Sequence, residues 1–235
     1  MTLPEDPLHF VVSNFAALEE QLRSCLEYVP FIEQNSSVVS PKFIPILMDA
    51  CSLIDSAFRH QMSNKGHQNI RTFAAEHEAY LQLENATTIL LVSPIQLLRP
   101  FRGWQNAAPA WWNAYNQVKH DRIGNYAAAT YTHTVTAMAG LHQILARSRL
   151  FHSNLLKAGW FNEHDAEGLM DLLAAREASC GPPELPVESR LFVSAIRSDF
   201  AQWNLDPPGI EVWNFTERVK NFIFEDEGVQ TVATE

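Results

Sequence analysis

The chain has 235 residues, of which 46% are hydrophobic and 19% charged, and this composition excludes a disordered protein. Its longest apolar run, around Ile89–Val92, is far shorter than the ~20 residues of a membrane-spanning helix, and no basic start followed by an apolar stretch opens the chain. Three cysteines without close spacing predict neither a disulfide framework nor a zinc site. We therefore predict a cytoplasmic protein that works without a metal ion or cofactor.

The charge of the chain is strongly negative but unevenly distributed. Twenty-seven acidic residues against 17 basic ones give a net charge of −10, and such a surface repels polyanions such as nucleic acids. The segment Arg99–Arg122 has four basic residues and one acidic residue, a net charge of +3 that leaves −13 for the rest of the chain. The composition therefore excludes general nucleic-acid coating, and it points to this segment as the place for a local anion site.

Hydrophobic residues spaced by three and four predict three helices in the first part of the chain. Their predicted ranges are Leu8–Tyr28, Pro41–Met62 and Ile70–Leu83. The second helix has the clearest start, because Ser40 is a capping residue and Pro41 suits the first helical position. We expect these helices to pack together in a bundle.

The character of the sequence changes after the third helix. The β-branched and apolar stretches Thr87–Val92 and Gln96–Phe101, on either side of a Ser-Pro turn, predict a two-stranded hairpin. A helix is then predicted over Pro109–Arg122, with a glycine two residues beyond it as the stop. The alanine-rich stretch Tyr126–Leu156 follows as one long core helix.

Proline and glycine divide the C-terminal part into shorter predicted elements. A helix at Asp165–Ser179 is followed by a linker at Gly181–Pro186 and a strand at Arg190–Ile196. The turn Pro207–Gly209 then precedes Ile210–Phe224, which is either a strand and a helix or one helix.

The sequence therefore predicts a mainly α protein, a helical bundle with a small β-hairpin and a short extra strand in the C-terminal part. The bundle domain would take residues 1–180, with the hairpin inserted near 87–101. A C-terminal subdomain at 187–224 would pack on the bundle, and residues 225–235 would form an acidic tail.

Two adjoining stripes of the predicted Pro109–Arg122 helix gather polar and aromatic side chains. They are Trp112, Asn116 and His120 on one stripe, and Tyr115, Lys119 and Arg122 on the next. Lys119 and Arg122 could neutralise a phosphate, His120 could exchange protons near neutral pH, and Asn116 could orient the histidine or a ribose hydroxyl. The alternative is structural, with the aromatic residues as the buried face and the polar groups bonded to neighbouring backbone.

Asp55 falls in line with apolar residues on the second predicted helix, and a carboxylate on an apolar face needs a partner. Arg59, four residues on, could pair with it locally. In the other interpretation both side chains project toward Lys119, His120 and Arg122 and form a polar centre inside a helical bundle.

Three features between residues 41 and 156 are shared with a known family. They are the run Pro100–Trp104, the phrase WW..YN..KH.R from Trp111 to Arg122, and the alanine-rich stretch that follows. The phrase is similar to that of defence-associated HEPN-type helical-bundle proteins. The resemblance implies RNA binding or metal-independent RNA cleavage in antiviral defence or toxin–antitoxin systems, and a homodimer with a composite site between two bundles.

By that resemblance His120 corresponds to the histidine of the family, and Asp55 corresponds to its acidic residue on the preceding helix. The ribonuclease members also carry an arginine shortly before the histidine, whereas no arginine stands there in this chain. The cation would then have to come from Arg59, Arg102 or Arg122.

These observations predict a possible endoribonuclease with two sets of site residues. The catalytic set is His120, Asn116, Asp55 and Arg59, and the substrate-binding set is Lys119, Arg122 and Arg102. The alternative is a non-catalytic interaction module, in which the polar cluster fixes helix register, the acidic surface binds a protein partner and the alanine-rich helix dimerises.

Overall fold

Helices account for most of residues 6–62, 68–161, 186–195 and 218, which the computed structural model describes. The α-helices among them are α1 (Pro7–Leu26), α2 (Phe43–Gln61), α3 (Ile70–Leu81), α4 (Ala110–His120), α5 (Tyr131–Arg147) and α6 (Arg149–Lys157). The strands are β1 (Thr88–Leu90), β2 (Gln96–Leu98), β3 (Pro186–Glu188) and β4 (Phe192–Ala195). The described part of the chain is therefore mainly helical with a small antiparallel sheet, as the sequence predicts.

Side-chain caps fix where several helices begin. The Oδ1 atom of Asp6 accepts a hydrogen bond from the backbone N–H of Leu8 at 2.9 Å, at the start of α1. Asn69 and Thr72 form a reciprocal capping box at the start of α3. Thr130 caps α5 through its hydroxyl oxygen. These polar residues satisfy backbone donors that a helix start leaves unpaired.

The sheet joins the predicted hairpin to a distant part of the sequence. Its strand order is β2-β1-β4-β3, and every neighbouring pair is antiparallel. Ile89 of β1 lies opposite Leu97 of β2 on one side and opposite Val193 of β4 on the other. The hairpin and the strand predicted over 190–196 are thus confirmed. Pro186, predicted to end the linker, is instead the first residue of β3.

The buried carboxylate of Glu19 on α1 holds the turn between β3 and β4. It accepts hydrogen bonds from the Ser189 hydroxyl and from the backbone N–H groups of Leu191 at 2.8 Å and Arg190 at 3.3 Å. Burial raises the pKa of Glu19, and these hydrogen bonds act in the opposite direction. A side chain of the first helix therefore anchors the last described hairpin to the bundle.

Helix α5 forms the centre of the bundle and packs along α2. None of its side chains is exposed, from Tyr131 to Arg147. At Gly140 the helix receives the turn at Pro100 and Phe101, because a Cβ at this position would lie 3.4 Å from both residues. Helix α5 therefore presents no exposed face for dimerisation with a second copy.

The single helix predicted over 126–156 is wrong, because the chain breaks it at Ser148. That residue has an extended backbone, with ψ of 116°, and its hydroxyl donates to the side-chain oxygen of Gln61 at 2.7 Å. The neighbouring Arg147 guanidinium donates to the carbonyl of Leu81 at 2.9 Å. Contacts with the ends of α2 and α3 thus separate α5 from α6, and residues 126–128 form only a short 3₁₀ turn.

Several predicted elements lie outside the described residues. They are the helix at 165–179, the linker at 181–185, the turn at 207–209, the element at 210–224 apart from Arg218, and the tail at 225–235. The division between residues 1–180 and 187–224 therefore stays a prediction. Among the described helices, none is long and apolar enough to span a membrane.

Candidate functional site

The last turn of α4 presents its polar side chains to solvent. The helix buries Trp111, Trp112, Ala114, Tyr115 and Val118, which occupy one face at helical spacing. Lys119, His120 and Arg122 are exposed, and Asn116 is half-buried. The structural alternative expects these polar groups to be bonded to neighbouring backbone. These groups are instead accessible to a ligand.

Helices α2 and α4 meet at Tyr115, which is buried between them. The ammonium of Lys119 lies 5.1 Å from the centroid of the Tyr115 ring, as a cation–π contact. Arg59 of α2 lies over the Phe73 ring at 5.7 Å, and Phe73 packs edge-on against Trp112 of α4 at 6.4 Å. Aromatic packing therefore places Arg59 beside α4, the helix that carries Lys119.

The Asp55–Arg59 pair is local and lies at the surface. Arg59 Nε donates to Asp55 Oδ2 at 2.6 Å, and the side chains are 46% and 23% exposed for Arg59 and Asp55. Arg59 also donates to the Gln68 amide oxygen at 2.6 Å and lies over the Phe73 ring at 5.7 Å. The Asp55 carboxylate raises the pKa of Arg59. The predicted polar centre inside the bundle is therefore wrong, because Ile54 faces the core and Asp55 lies beside it.

Arg102 lies on the other side of α4. It lines a groove of about 290 Å³ together with Arg99 and His133, and α4 reaches this groove with its first residues, Ala110 and Trp111. His120 ends the same helix, which rises ~15 Å over its length. The structure therefore does not bring Arg102 to the histidine.

A cleft of about 370 Å³ separates the start of α3 from α4. Asn116 and Asn113 line it from α4, and Arg71 lines it from α3 with an exposed side chain. Sequence reasoning did not assign Arg71 to a site with Asn116, because no local pattern shows that the start of α3 lies beside α4. Arg71 therefore adds a positive charge near Asn116 that could not be predicted from the sequence.

The run Pro100–Trp104, part of the resemblance to the HEPN-type family, has a packing role in this chain. Trp104 is fully buried, and its indole N–H donates to the carboxylate of Glu78 at 2.8 Å. The backbone N–H of Gly103, which has a φ of 78°, donates to Glu84 at 2.7 Å. Two carboxylates therefore hold this turn in place.

A buried histidine and serine elsewhere resemble a catalytic pair but cannot reach a substrate. His142 Nδ1 and Ser194 Oγ are 2.8 Å apart, and Ser194 also bonds to Thr88 at 2.8 Å. His142 is completely buried, and this burial lowers its pKa to about 3. We therefore assign this pair to the core.

Another cleft carries less chemistry. A cleft of about 450 Å³ lies beside Glu19, Trp160 and Arg218, but hydrogen bonds from the β3–β4 turn already engage the buried Glu19 carboxylate. Within the described ranges, no group of three or more His, Cys, Asp or Glu side chains could hold a metal ion.

No protein-family model, curated protein or solved structure matches the chain. The case for a function therefore depends on side chains of α4, of α2, which packs on α4, and of the start of α3, which shares a cleft with α4. We call them the α4 site: Asp55, Arg59, Arg71, Asn116, Lys119 and His120, with Arg122 in the loop that follows α4.

Proposed function

We propose that this chain is a cytoplasmic HEPN-like protein of defence or toxin type that binds RNA at the α4 site and cleaves it without a metal ion. The supporting observation is the exposure of Lys119, His120 and Arg122, with the half-buried Asn116 one turn before the histidine. An exposed imidazole with exposed cations close to it in the sequence has the groups that phosphate chemistry requires.

The charge distribution favours a small RNA contact over a large one. The chain has a net charge of −10, so most of its surface repels a polyanion. Arg59, Arg71, Lys119 and Arg122 concentrate positive charge at the α4 site. Because few phosphates are neutralised, binding is weak and depends on salt in proportion to the number of these contacts.

In the proposed reaction a ribose hydroxyl attacks its own phosphate. His120 takes the proton from the 2′-hydroxyl, the 2′-oxygen forms a bond to phosphorus, and the bond from phosphorus to the 5′-oxygen of the next nucleotide breaks. The imidazolium then returns the proton to that 5′-oxygen, which leaves as a hydroxyl, and the other product ends in a 2′,3′-cyclic phosphate. No external nucleophile takes part, so a base and nearby cations are sufficient.

The other residues of the α4 site would support this step without contacting the transferred proton. Lys119 and Arg122 would neutralise the scissile phosphate, and Asn116 would orient His120 or the ribose. Asp55 and Gln68 hold Arg59 in one position through charge-assisted hydrogen bonds. Arg59 could thus supply the cation that the family's missing arginine would otherwise provide.

The substitution His120→Ala is expected to reduce RNA cleavage by at least about 100-fold, because it removes the only proposed general base. The measurement is cleavage of total RNA in excess chelator. His60→Ala removes another exposed histidine, on α2, and is expected to retain wild-type activity. Equal cleavage by the wild type and His120→Ala, or no cleavage by either, would contradict the proposal.

The alternative of a non-catalytic interaction module has one observation in its favour. Large apolar side chains are exposed on and after α1, among them Tyr28 at 81%. A protein partner or a second copy could cover them, whereas α5 has no exposed face for this purpose. In that case His120→Ala would leave binding of the partner unchanged.

A further inference from the structure

The cleft between α3 and α4 is lined by three amide side chains and one cation. Asn69 and Arg71 contribute from the start of α3, and Asn113 and Asn116 contribute from α4. Trp112 forms part of its apolar wall. A volume of about 370 Å³ is in the range of small-ligand sites in proteins.

Hydrogen bonds within the chain leave part of the Asn69 and Asn113 amides unused. Asn69 uses its oxygen to cap α3, so its amide N–H groups remain. Asn113 uses one N–H to reach the carbonyl of Ala108 at 3.2 Å, and its oxygen remains. Asn116 is half-buried, so part of its side chain is accessible. The edge of a nucleobase presents donors and acceptors side by side, and asparagine is a side chain that can pair with both.

The cleft adjoins the proposed reaction centre along a single stripe of α4. Asn116 and His120 are four residues apart and therefore lie one turn apart on the same side of the helix. A base held at Asn116 would place its own sugar and phosphate toward Lys119 and His120. Arg71, on the opposite wall, could contact the phosphate on the other side of that nucleotide.

We propose that this cleft binds one unpaired base of an RNA strand and selects which phosphate reaches His120. The inference depends on the proposed function, since it takes RNA as the ligand of the α4 site. Base edges inside an RNA double helix are paired and stacked, so the cleft admits only single-stranded segments. The amides of Asn69, Asn113 and Asn116 make the binding selective for the identity of the base.

The substitution Asn113→Ala tests the cleft without altering the proposed catalytic residues. The measurement is binding of four fluorescent 2′-O-methyl octanucleotides that differ in one central base and cannot be cleaved through a 2′-hydroxyl. The wild type is expected to bind the best of them at least about tenfold more tightly than the worst, as one amide–base contact can discriminate to that extent. Asn113→Ala is expected to reduce the ratio between the tightest and the weakest affinity severalfold. Gln117→Ala, at an exposed position outside the cleft lining, is expected to leave this ratio unchanged.

Failure of this inference is distinguishable from failure of the proposed nuclease activity. If the wild type binds all four oligonucleotides with equal affinity, the proposal that the cleft binds a base is contradicted. A ratio of affinities that Asn113→Ala leaves unchanged also contradicts it. Neither conclusion depends on the result of the cleavage assay. Base-selective binding by a protein that cleaves no RNA supports the cleft and contradicts the nuclease. No binding to any of the four overturns the cleft, and the cleavage assay alone then decides the nuclease.

Discussion

Lowering the pH below 6.5 is expected to reduce the free energy of unfolding by up to about 5 kcal/mol through His142 alone. The pKa of His142 is about 3 in the folded protein, against an ordinary value of 6.5. Between these values the unfolded chain binds a proton that the folded protein excludes. The contribution of this group is therefore complete above pH 6.5 and is lost as the pH falls through the window.

Other buried groups modify this trend. Burial also lowers the pKa of His77 and of His152, so both add to the loss of stability in acid. Glu19 acts in the opposite direction, because its pKa is raised above 4.5 and its contribution is lost as the pH rises through the raised value. Among the described residues, the three buried histidines outnumber such carboxylates, so we expect acid to destabilise the protein.

Denaturant unfolding at a series of pH values between 7.5 and 5 measures the effect of His142. The substitution His142→Asn keeps a hydrogen-bonding group near Ser194 but removes the titrating ring, so the dependence of stability on pH becomes shallower. His60→Asn, at an exposed position, is the matched control and is expected to keep the wild-type slope. A wild-type slope in His142→Asn would contradict the assignment of the acid sensitivity to this residue.

The substitution Phe58→Ala is expected to destabilise the protein by about 3–5 kcal/mol, the usual cost of a large aromatic deletion in a core. Phe58 is fully buried, and its ring packs against Phe73, His77, Phe101 and Trp104. Its removal leaves a cavity that this rigid cluster cannot fill. The same cluster supports the α4 site, because Phe73 lies beneath Arg59.

Urea unfolding of Phe58→Ala and of Phe10→Ala gives the matched comparison. Phe10 is 55% exposed on α1, so its truncation is expected to change stability by less than about 0.5 kcal/mol. A Phe58→Ala variant that loses no more stability than Phe10→Ala would show that the aromatic cluster does not carry the core.

The sequence predicts the elements whose signals are local. Helix α2 was expected over 41–62 and occupies Phe43–Gln61, since Ser40 forms a turn in which its carbonyl accepts from Phe43 at 2.9 Å. Helix α4 was expected over 109–122 and ends at His120. Periodicity and caps depend on residues that are neighbours in the sequence, so these helices can be predicted without knowledge of the fold.

The long helix was mispredicted because distant contacts decide its ends. At its start, the backbone N–H of Tyr131 donates to the carbonyl of Val38 at 2.8 Å, and Val39 pairs with Thr130. At its end, Ser148 bonds to Gln61 of α2. The alanine-rich sequence favours helix along the whole stretch. Contacts with residues 36–39 set where the helix begins, and a contact with α2 sets where it ends.

The part of the candidate site that lies on one helix can be predicted from the sequence. Lys119, His120 and Asn116 share a helix, so their proximity follows from spacing. Asp55 was expected to face the core, but the buried face of α2 passes through Ile54 and Phe58 and leaves Asp55 at its edge.

The most direct measurement for the central claim uses an RNA oligonucleotide with one 2′-deoxy nucleotide at the position that the wild type cuts. We predict cleavage of the all-ribose oligonucleotide in excess chelator and no cleavage at the deoxy position, because the proposed nucleophile is the neighbouring 2′-hydroxyl. Equal cleavage of both oligonucleotides would show an external nucleophile, and cleavage of neither would show that the α4 site does not cut RNA. Either result would contradict the proposed function.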